Sequence, residues 1–153
     1  MARYDRLLAA SAAKRSFTAG IAPSPGENEG HWRPARLLAD LLEDDPAVVE
    51  EVFGPLLTVQ QADDSHAALA LANSVRQALA ASVWTRDLGA GLGLADGIDA
   101  GEVWLNCHLV QSAELPHGGR GASGTGTDLS TLALHEYQRP KTITARPPGN
   151  PWT

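Results

Sequence analysis

The sequence predicts an α/β protein, because strand-like and helix-like segments alternate through its second half. Three short apolar runs at residues 56–60, 81–85 and 103–106 have strand character. Each pair of runs is separated by a stretch long enough for a helix. A strand–helix–strand–helix–strand order implies parallel strands joined by right-handed crossovers. We therefore expect a small parallel sheet built from a βαβαβ unit, with flanking helices and a C-terminal strand.

Capping residues mark the two connecting helices. Asp63, Asp64 and Ser65 offer N-cap oxygens for a helix that runs through residue 77. Asp87 can cap a second helix that ends at Gly101. Four glycines in that second helix each cost about 1 kcal/mol relative to alanine. Its stability must therefore come from packing.

The remaining segments complete a single predicted domain over residues 1–153. A helix and a loop fill residues 1–30, the core covers residues 31–146, and a proline-rich tail follows at 147–153. Within these parts we expect a helix at 4–15, a strand or turn at 17–20, an exposed mobile loop at 21–30, a glycine-rich loop at 115–126, a helix at 128–137 and a strand at 141–145.

Composition narrows the possible functions. Twelve basic and eighteen acidic residues give a net charge of −6, which argues against nucleic acid as a partner. No apolar run approaches the ~20 residues needed to span a bilayer, so we expect no membrane association. The lone Cys107 and the spacing of the five histidines give no metal-binding signature. A cytoplasmic location is the expectation.

Five short motifs stand in a fixed order along the chain. They are Glu50-Glu51-Val52-Phe53-Gly54-Pro55, Ala72-Asn73, Gly101-Glu102-Val103-Trp104-Leu105-Asn106, Pro116-His117-Gly118-Gly119 with Ser123-Gly124, and His135-Glu136-Tyr137 with Lys141-Thr142-Ile143. In order and spacing they resemble the C-terminal part of the NAD(P)-dependent aldehyde dehydrogenase superfamily. The Asn106-Cys107-His108 run and His117 are most similar to the gamma-aminobutyraldehyde dehydrogenases.

The resemblance implies a truncated catalytic domain. Family members are much longer, and their NAD-binding domain, nucleophilic cysteine and glutamate base precede the part that this chain resembles. Aldehyde oxidation needs a thiolate, a hydride acceptor and a base for thioester hydrolysis. We therefore expect that the chain alone does not oxidise aldehydes, although whether it is an enzyme at all stays open.

Two positions resemble the family's nicotinamide-ribose site. By resemblance, the Glu51 carboxylate accepts the ribose hydroxyls and the Phe53 ring packs against that end of the cofactor. Half of a site gives little affinity, so no cofactor is expected for the isolated chain, whereas the family cofactor is NAD or NADP. The alternative is that Glu50 and Glu51 are solvated and Phe53 belongs to the core.

The segment 108–117 resembles the family loop that lines the substrate tunnel. The possible ligand is a small aldehyde or amine, and the negative charge of the Glu114 carboxylate suits an amine. The alternative is a solvated glutamate and a capping histidine. The substrate-binding candidates are Val110, Gln111, Glu114 and His117, and the weak catalytic candidates are His108, Glu114, His117 and Cys107. Cys107 is expected to be a buried bystander rather than a nucleophile.

Three functions remain open. The first is a binding or assembly role, as a homo-oligomer or in complex with another aldehyde dehydrogenase chain, because a truncated parallel sheet exposes an edge. The second is a repurposed small enzyme that acts on an aldehyde, amino-aldehyde or cyclic imine by acid–base chemistry without redox. The third is one part of a split aldehyde dehydrogenase.

Overall fold

The computed structural model describes residues 2–20, 31–146 and 148–149 of the chain. The predicted loop at 21–30 and most of the predicted tail lie outside these residues. The helices in the described part are α1 Ala2–Ala10, α2 Pro46–Val49, α3 Ser65–Ala72, α4 Leu88–Gly97 and α5 Ala133–Glu136. The strands are β1 Arg15–Ala19, β2 Ala35–Ala39, β3 Leu56–Val59, β4 Gln77–Ala78, β5 Ala80–Val83, β6 Glu102–Leu105, β7 His117–Gly118, β8 Arg120–Gly121 and β9 Thr127–Asp128.

The mixed α/β class is confirmed, but the strands divide among several small sheets. β5 and β6 pair in parallel across α4, as predicted, with Ser82 opposite Trp104. β3 does not join them, which corrects the expected single βαβαβ sheet. It pairs in parallel with β2, which in turn pairs antiparallel with β1. Because β2 is a short run between polar segments, its strand character shows only once its partners are known.

The glycine-rich helix α4 is held by close packing, as its composition requires. A Cβ atom on Gly91 would lie 2.8 Å from Cγ2 of Thr85, and one on Gly97 would lie 2.8 Å from Cδ2 of Leu69. Larger residues would push the helix away from the segment that follows β5 and from α3. The glycines that cost helix propensity therefore permit the contacts that stabilise the helix.

Two helices, α1 and α3, end earlier than the sequence predicted. The helix predicted for residues 4–15 ends at Ala10, because the buried carboxylate of Asp45 accepts hydrogen bonds from the Ser11 hydroxyl at 3.0 Å and from the Ala12 backbone at 2.8 Å. The chain then turns into β1. Similarly, α3 ends at Ala72 rather than at residue 77, and residues 77–78 form β4. These ends depend on long-range contacts.

The C-terminal predictions are corrected most. The helix predicted for 128–137 is reduced to Ala133–Glu136. Residues 141–145 form no strand in the described structure, and Ile143 is 80% exposed. A strand exists only through pairing, and no described strand lies beside this segment. The expected C-terminal strand is therefore absent from this part of the chain.

Candidate functional site

The turn before β3 presents the first pair of site candidates. Glu51 is exposed, and Phe53 is 87% exposed with φ at 53°. The expectation that Phe53 belongs to the core is therefore wrong. A bulky residue rarely adopts a positive φ, so the turn holds the ring outward at a backbone cost. The ring lines a cleft of about 560 Å³ together with Tyr4 and Arg33.

Packing of α1 supports this turn. Tyr4 is 4% exposed, and its hydroxyl donates to the carbonyl oxygen of Pro34 at 2.8 Å. A Cβ atom on Gly54 would lie 3.0 Å from Cδ2 of Tyr4. Glu50, at the start of the motif, forms an ion pair with Arg6 at 2.8 Å. The motif at residues 50–55 therefore joins α1 to the three-stranded sheet, independently of any role in ligand binding.

A second candidate region follows β6, where the chain makes a tight turn. Asn106 and Leu109 both have positive φ angles, of 55° and 56°. The Asn106 side-chain oxygen accepts a hydrogen bond from the Thr85 backbone at 2.8 Å. The buried indole of Trp104 donates to the carbonyl oxygen of Val110 at 2.8 Å. These bonds fix the start of segment 108–117 against β5 and β6.

His108 lies within this turn and contacts two neighbours. Its Nδ1 atom is 2.7 Å from the Ser82 hydroxyl oxygen, and its ring meets the Trp104 ring edge to face with centroids 5.2 Å apart. Cys107, beside it, is half-buried rather than buried as the sequence predicted, because it lies in the turn after β6. The structure thus pairs His108 with the hydroxyl group of Ser82 in β5. Sequence reasoning missed Ser82. A serine inside a short strand gives no local signal of such a contact.

His117 forms a separate cluster with Gln111 and Glu102. Its Nδ1 atom lies 2.9 Å from Oε2 of Glu102 and 3.0 Å from Nε2 of Gln111. One ring nitrogen either donates or accepts, so it donates to the carboxylate or accepts from the amide. Both His117 and Glu102 are partly buried, with side-chain exposures of 28% and 14%. Glu102, a variable position within the third motif (residues 101–106), was missed by sequence reasoning.

Glu114 stands apart from both histidines. Its carboxylate accepts a hydrogen bond from the Ser112 hydroxyl. That bond, together with the backbone N–H of Glu114, lowers the pKa of the carboxyl below its ordinary value. The side chain is exposed, as are Val110 and Gln111. Of the predicted substrate-binding residues, the structure thus brings Gln111 and His117 together, while Glu114 is held by its own loop.

The glycine-rich segment serves as a tight connection. A Cβ atom on Gly118 would lie 2.7 Å from the carbonyl oxygen of Gly126. The Ser123 hydroxyl accepts a hydrogen bond from the Ala78 backbone at 2.9 Å. Gly121 has φ at +54°, and a Cβ atom there would lie 2.7 Å from the carbonyl oxygen of Arg76. These contacts support the reading of a compact loop packed against β4.

Within residues 2–20, 31–146 and 148–149, no three His, Cys, Asp or Glu side chains are arranged to hold a metal ion. None of the helices described here is long and apolar enough to cross a membrane.

Comparison with known proteins places nearly the whole chain in one group. Residues 3–143 match the model of the aldehyde dehydrogenase family. Betaine aldehyde dehydrogenase of Agrobacterium fabrum is 36% identical over 127 residues, which cover 83% of this chain and 26% of the relative. Aldehyde dehydrogenase 1A1 of Gallus gallus is 33% identical over 124 residues, which cover 81% of this chain and 24% of the relative.

Solved structures give the same result. Betaine aldehyde dehydrogenase of Staphylococcus aureus in complex with NAD+ superposes with a TM-score of 0.79 at 27% identity, over 89% of this chain and 28% of that one. An NAD-dependent aldehyde dehydrogenase of Sinorhizobium meliloti superposes with a TM-score of 0.79 at 28% identity, over 99% of this chain and 30% of that one. The chain therefore spans 24% to 30% of the length of these four relatives.

Proposed function

Because the chain belongs to the aldehyde dehydrogenase family, we propose that it acts by assembly, as the C-terminal part of a catalytic domain that does not oxidise aldehydes alone. The observation that carries this proposal is an apolar sheet edge. β3 ends the three-stranded sheet, and its Leu57 and Val59 side chains are 59% and 41% exposed. Unpaired apolar edges are templates for association.

The surroundings of Cys107 support the lack of independent oxidation. Thiol-based oxidation needs a thiolate beside a base, with a hydride acceptor within reach. Cys107 is the sole cysteine of the chain. The Nδ1 atom of the adjacent His108 is engaged with Ser82 instead. Cys107 is therefore assigned a packing role.

The exposed Glu51 and Phe53 are assigned to NAD or NADP only within an assembly. The isolated chain offers the cofactor one carboxylate and one ring, and such a fragment of a site does not repay the entropy of binding. When another chain supplies the dinucleotide domain, the outward ring of Phe53 packs against the nicotinamide end of NAD or NADP. No cofactor is assigned to the chain alone.

The ligand assigned to the loop 108–117 is a small aldehyde that carries an amine, of the gamma-aminobutyraldehyde kind. Glu114 is exposed, and an exposed carboxylate attracts an ammonium group. Gln111 and His117 lie beside each other at 3.0 Å and add hydrogen-bonding groups on the same loop.

Sedimentation of the purified chain tests the assembly role. We expect reversible self-association that increases with protein concentration, and no NADH formation from aldehyde and NAD. Leu57→Asp should shift the chain to monomer. Leu92→Asp is the matched control, because Leu92 is similarly exposed at 56% but lies on α4. A chain that is monomeric throughout, or that forms NADH alone, would contradict the proposal.

A second candidate function is that of one part of a split enzyme. It is favoured because the chain covers only part of the length of each relative. It spans 26% of the Agrobacterium enzyme and 30% of the Sinorhizobium structure. Co-expression with a chain that carries the remaining catalytic and dinucleotide-binding parts should then restore NADH formation. A stable complex without oxidation would favour assembly alone.

A further inference from the structure

We propose that Ser82 and His108 form a nucleophile–base pair that takes acyl or phosphonyl groups from activated esters. This activity goes beyond the proposed assembly role and does not depend on it. It uses a hydroxyl that lies outside the five family motifs and a histidine that the assembly role leaves unused. The ligand class is an ester with a good leaving group, since the pair itself supplies only a nucleophile and a base.

The first support is geometric. Ser82 lies in β5, and His108 follows the neighbouring strand β6. The Ser82 oxygen and the His108 Nδ1 atom are 2.7 Å apart, within the range in which an imidazole takes the proton of an attacking hydroxyl. Ser82 is half-buried and His108 is exposed. An ester can therefore approach the pair from solvent.

The second support is that the imidazole is held in place. Its ring packs edge to face on Trp104 with an interplanar angle of 76°. Trp104 is itself 6% exposed, and its indole is fixed by the bond to Val110. A base with a fixed orientation loses little entropy when it reacts.

The third support is the backbone on either side of His108. Asn106 and Leu109 both adopt left-handed conformations, and for a leucine this is costly. Such strain collects at functional positions, where the surrounding structure enforces it. Here the two positions bring the ring back over β5, which a regular strand would not do.

Strand alternation places the pair on one face of the β5–β6 sheet. Leu105 points toward α4, because a Cβ atom on Gly91 would lie 3.4 Å from its Cδ2 atom. Side chains alternate along a strand, so Trp104 and its register partner Ser82 point to the other face. The pair is therefore on the side of the β5–β6 sheet away from α4.

The chemistry balances as an acyl transfer. The Ser82 oxygen forms a bond to the ester carbonyl carbon while its proton passes to Nδ1 of His108. The bond from that carbon to the alkoxy group breaks, and the leaving oxygen takes the proton from the imidazolium. Water then attacks the acylated serine, again losing a proton to Nδ1. The carboxylic acid leaves, and the Ser82 oxygen regains the proton.

The test uses a fluorophosphonate probe on the full chain in a Cys107→Ala background, which removes the neighbouring thiol. In this case an oxygen–phosphorus bond replaces a phosphorus–fluorine bond, and fluoride leaves. We expect one adduct, mapped by peptide mass spectrometry to Ser82.

Variants separate a reactive pair from a structural one. Ser82→Ala should abolish the adduct, and His108→Ala should slow labelling at least tenfold. Ser74→Ala is the matched control, since its hydroxyl donates only to the Leu71 carbonyl oxygen, at 2.8 Å, and labelling should not change. Labelling that maps elsewhere in the parent chain, or that is equally fast in His108→Ala, overturns the proposal. Because mapping on the parent needs no Ser82 variant, a misfolded variant does not obscure the result.

Discussion

Gly101 packs against Gly118 so closely that a Cβ atom on Gly101 would overlap the carbonyl oxygen of Gly118. Gly101 immediately precedes β6 and Gly118 ends β7, and each belongs to a different family motif. The Gly101 backbone N–H also contacts the carbonyl oxygens of Ala78 and Leu79, at 3.2 and 3.1 Å. Both motifs are therefore required by backbone packing at this point, independently of any catalytic role.

Gly101→Ala should lower the free energy of unfolding by about 1–3 kcal/mol, the usual cost of forcing extra atoms into a packed site. Urea denaturation measures this change. Gly93→Ala is the matched control, because a Cβ atom on Gly93 meets nothing within 4 Å. That control should stabilise α4 by about 0.5–1 kcal/mol. Equal effects of the two substitutions would refute the packing argument.

Asp45 is the most connected buried carboxylate of the described chain. It is 4% exposed, caps α2 through the Ala47 backbone at 2.9 Å, and accepts from both Ser11 and Ala12. Asp45→Ala should cost about 2 kcal/mol or more, because three donors lose a charged acceptor. Thermal or urea unfolding measures this loss.

The control for Asp45 is another helix cap. Asp64 caps α3 through a single exposed bond to the Ala67 backbone, at 2.8 Å. Asp64→Ala should cost about 1 kcal/mol. If the two alanine variants are equally stable, Asp45 contributes only as a cap and does not hold the end of α1.

Acid should weaken the contacts of the N-terminal region. Arg33 lowers the pKa of Asp5, Arg15 lowers that of Asp40, and Arg6 lowers that of Glu50. Carboxyl groups whose folded pKa is lowered add stability above their unfolded pKa, and this is lost as pH falls through the folded value.

The unfolding free energy should therefore decline as pH falls below about 4. Arg6→Gln should flatten the decline by removing the partner of Glu50, and added salt should do the same because these pairs are exposed. Arg139→Gln, outside the three pairs, is the control. A slope identical in Arg6→Gln and the parent would show that the Glu50 pair contributes nothing measurable.

Local patterns predicted the central part of the fold correctly. The unit β5–α4–β6 was foreseen because its strands, its Asp87 cap and its helix are contiguous in sequence, and Asp87 does accept from the Ala90 backbone at 3.0 Å. The pairing of β3 with β2 was missed, because it depends on which distant strand is nearest. Residues 141–145 have a strand pattern but no described partner.

In the candidate site, too, local features were predicted and contacts between distant residues were not. The motif order predicted the family, whereas the contacts inside the segment 108–117 were not foreseen. Ser82 contacts His108, and Glu102 contacts His117, through residues that lie 26 and 15 positions apart along the chain. No local spacing predicts such contacts. Phe53 was weighed as a core residue from its hydrophobicity, yet its left-handed backbone turns it outward.

Asn73, from the Ala72-Asn73 motif, has a structural role that can be tested locally. Its side-chain nitrogen donates to the Gly97 carbonyl oxygen at 2.9 Å, and its side-chain oxygen accepts from the Asp99 backbone at 2.9 Å. One amide thus joins the end of α3 to the connection between α4 and β6. Asn73→Ala should cost about 1–2 kcal/mol, since two hydrogen bonds are lost.

Amide hydrogen exchange separates this bridge from a general loss of stability. In Asn73→Ala the Asp99 amide should lose protection, while amides within α4 keep theirs. Ser74→Ala is the control at the adjacent position, because its hydroxyl bonds only within the end of α3, and it should leave Asp99 unchanged. If Asp99 stays protected in Asn73→Ala, the bridge does not hold the connection, and the motif asparagine must act elsewhere.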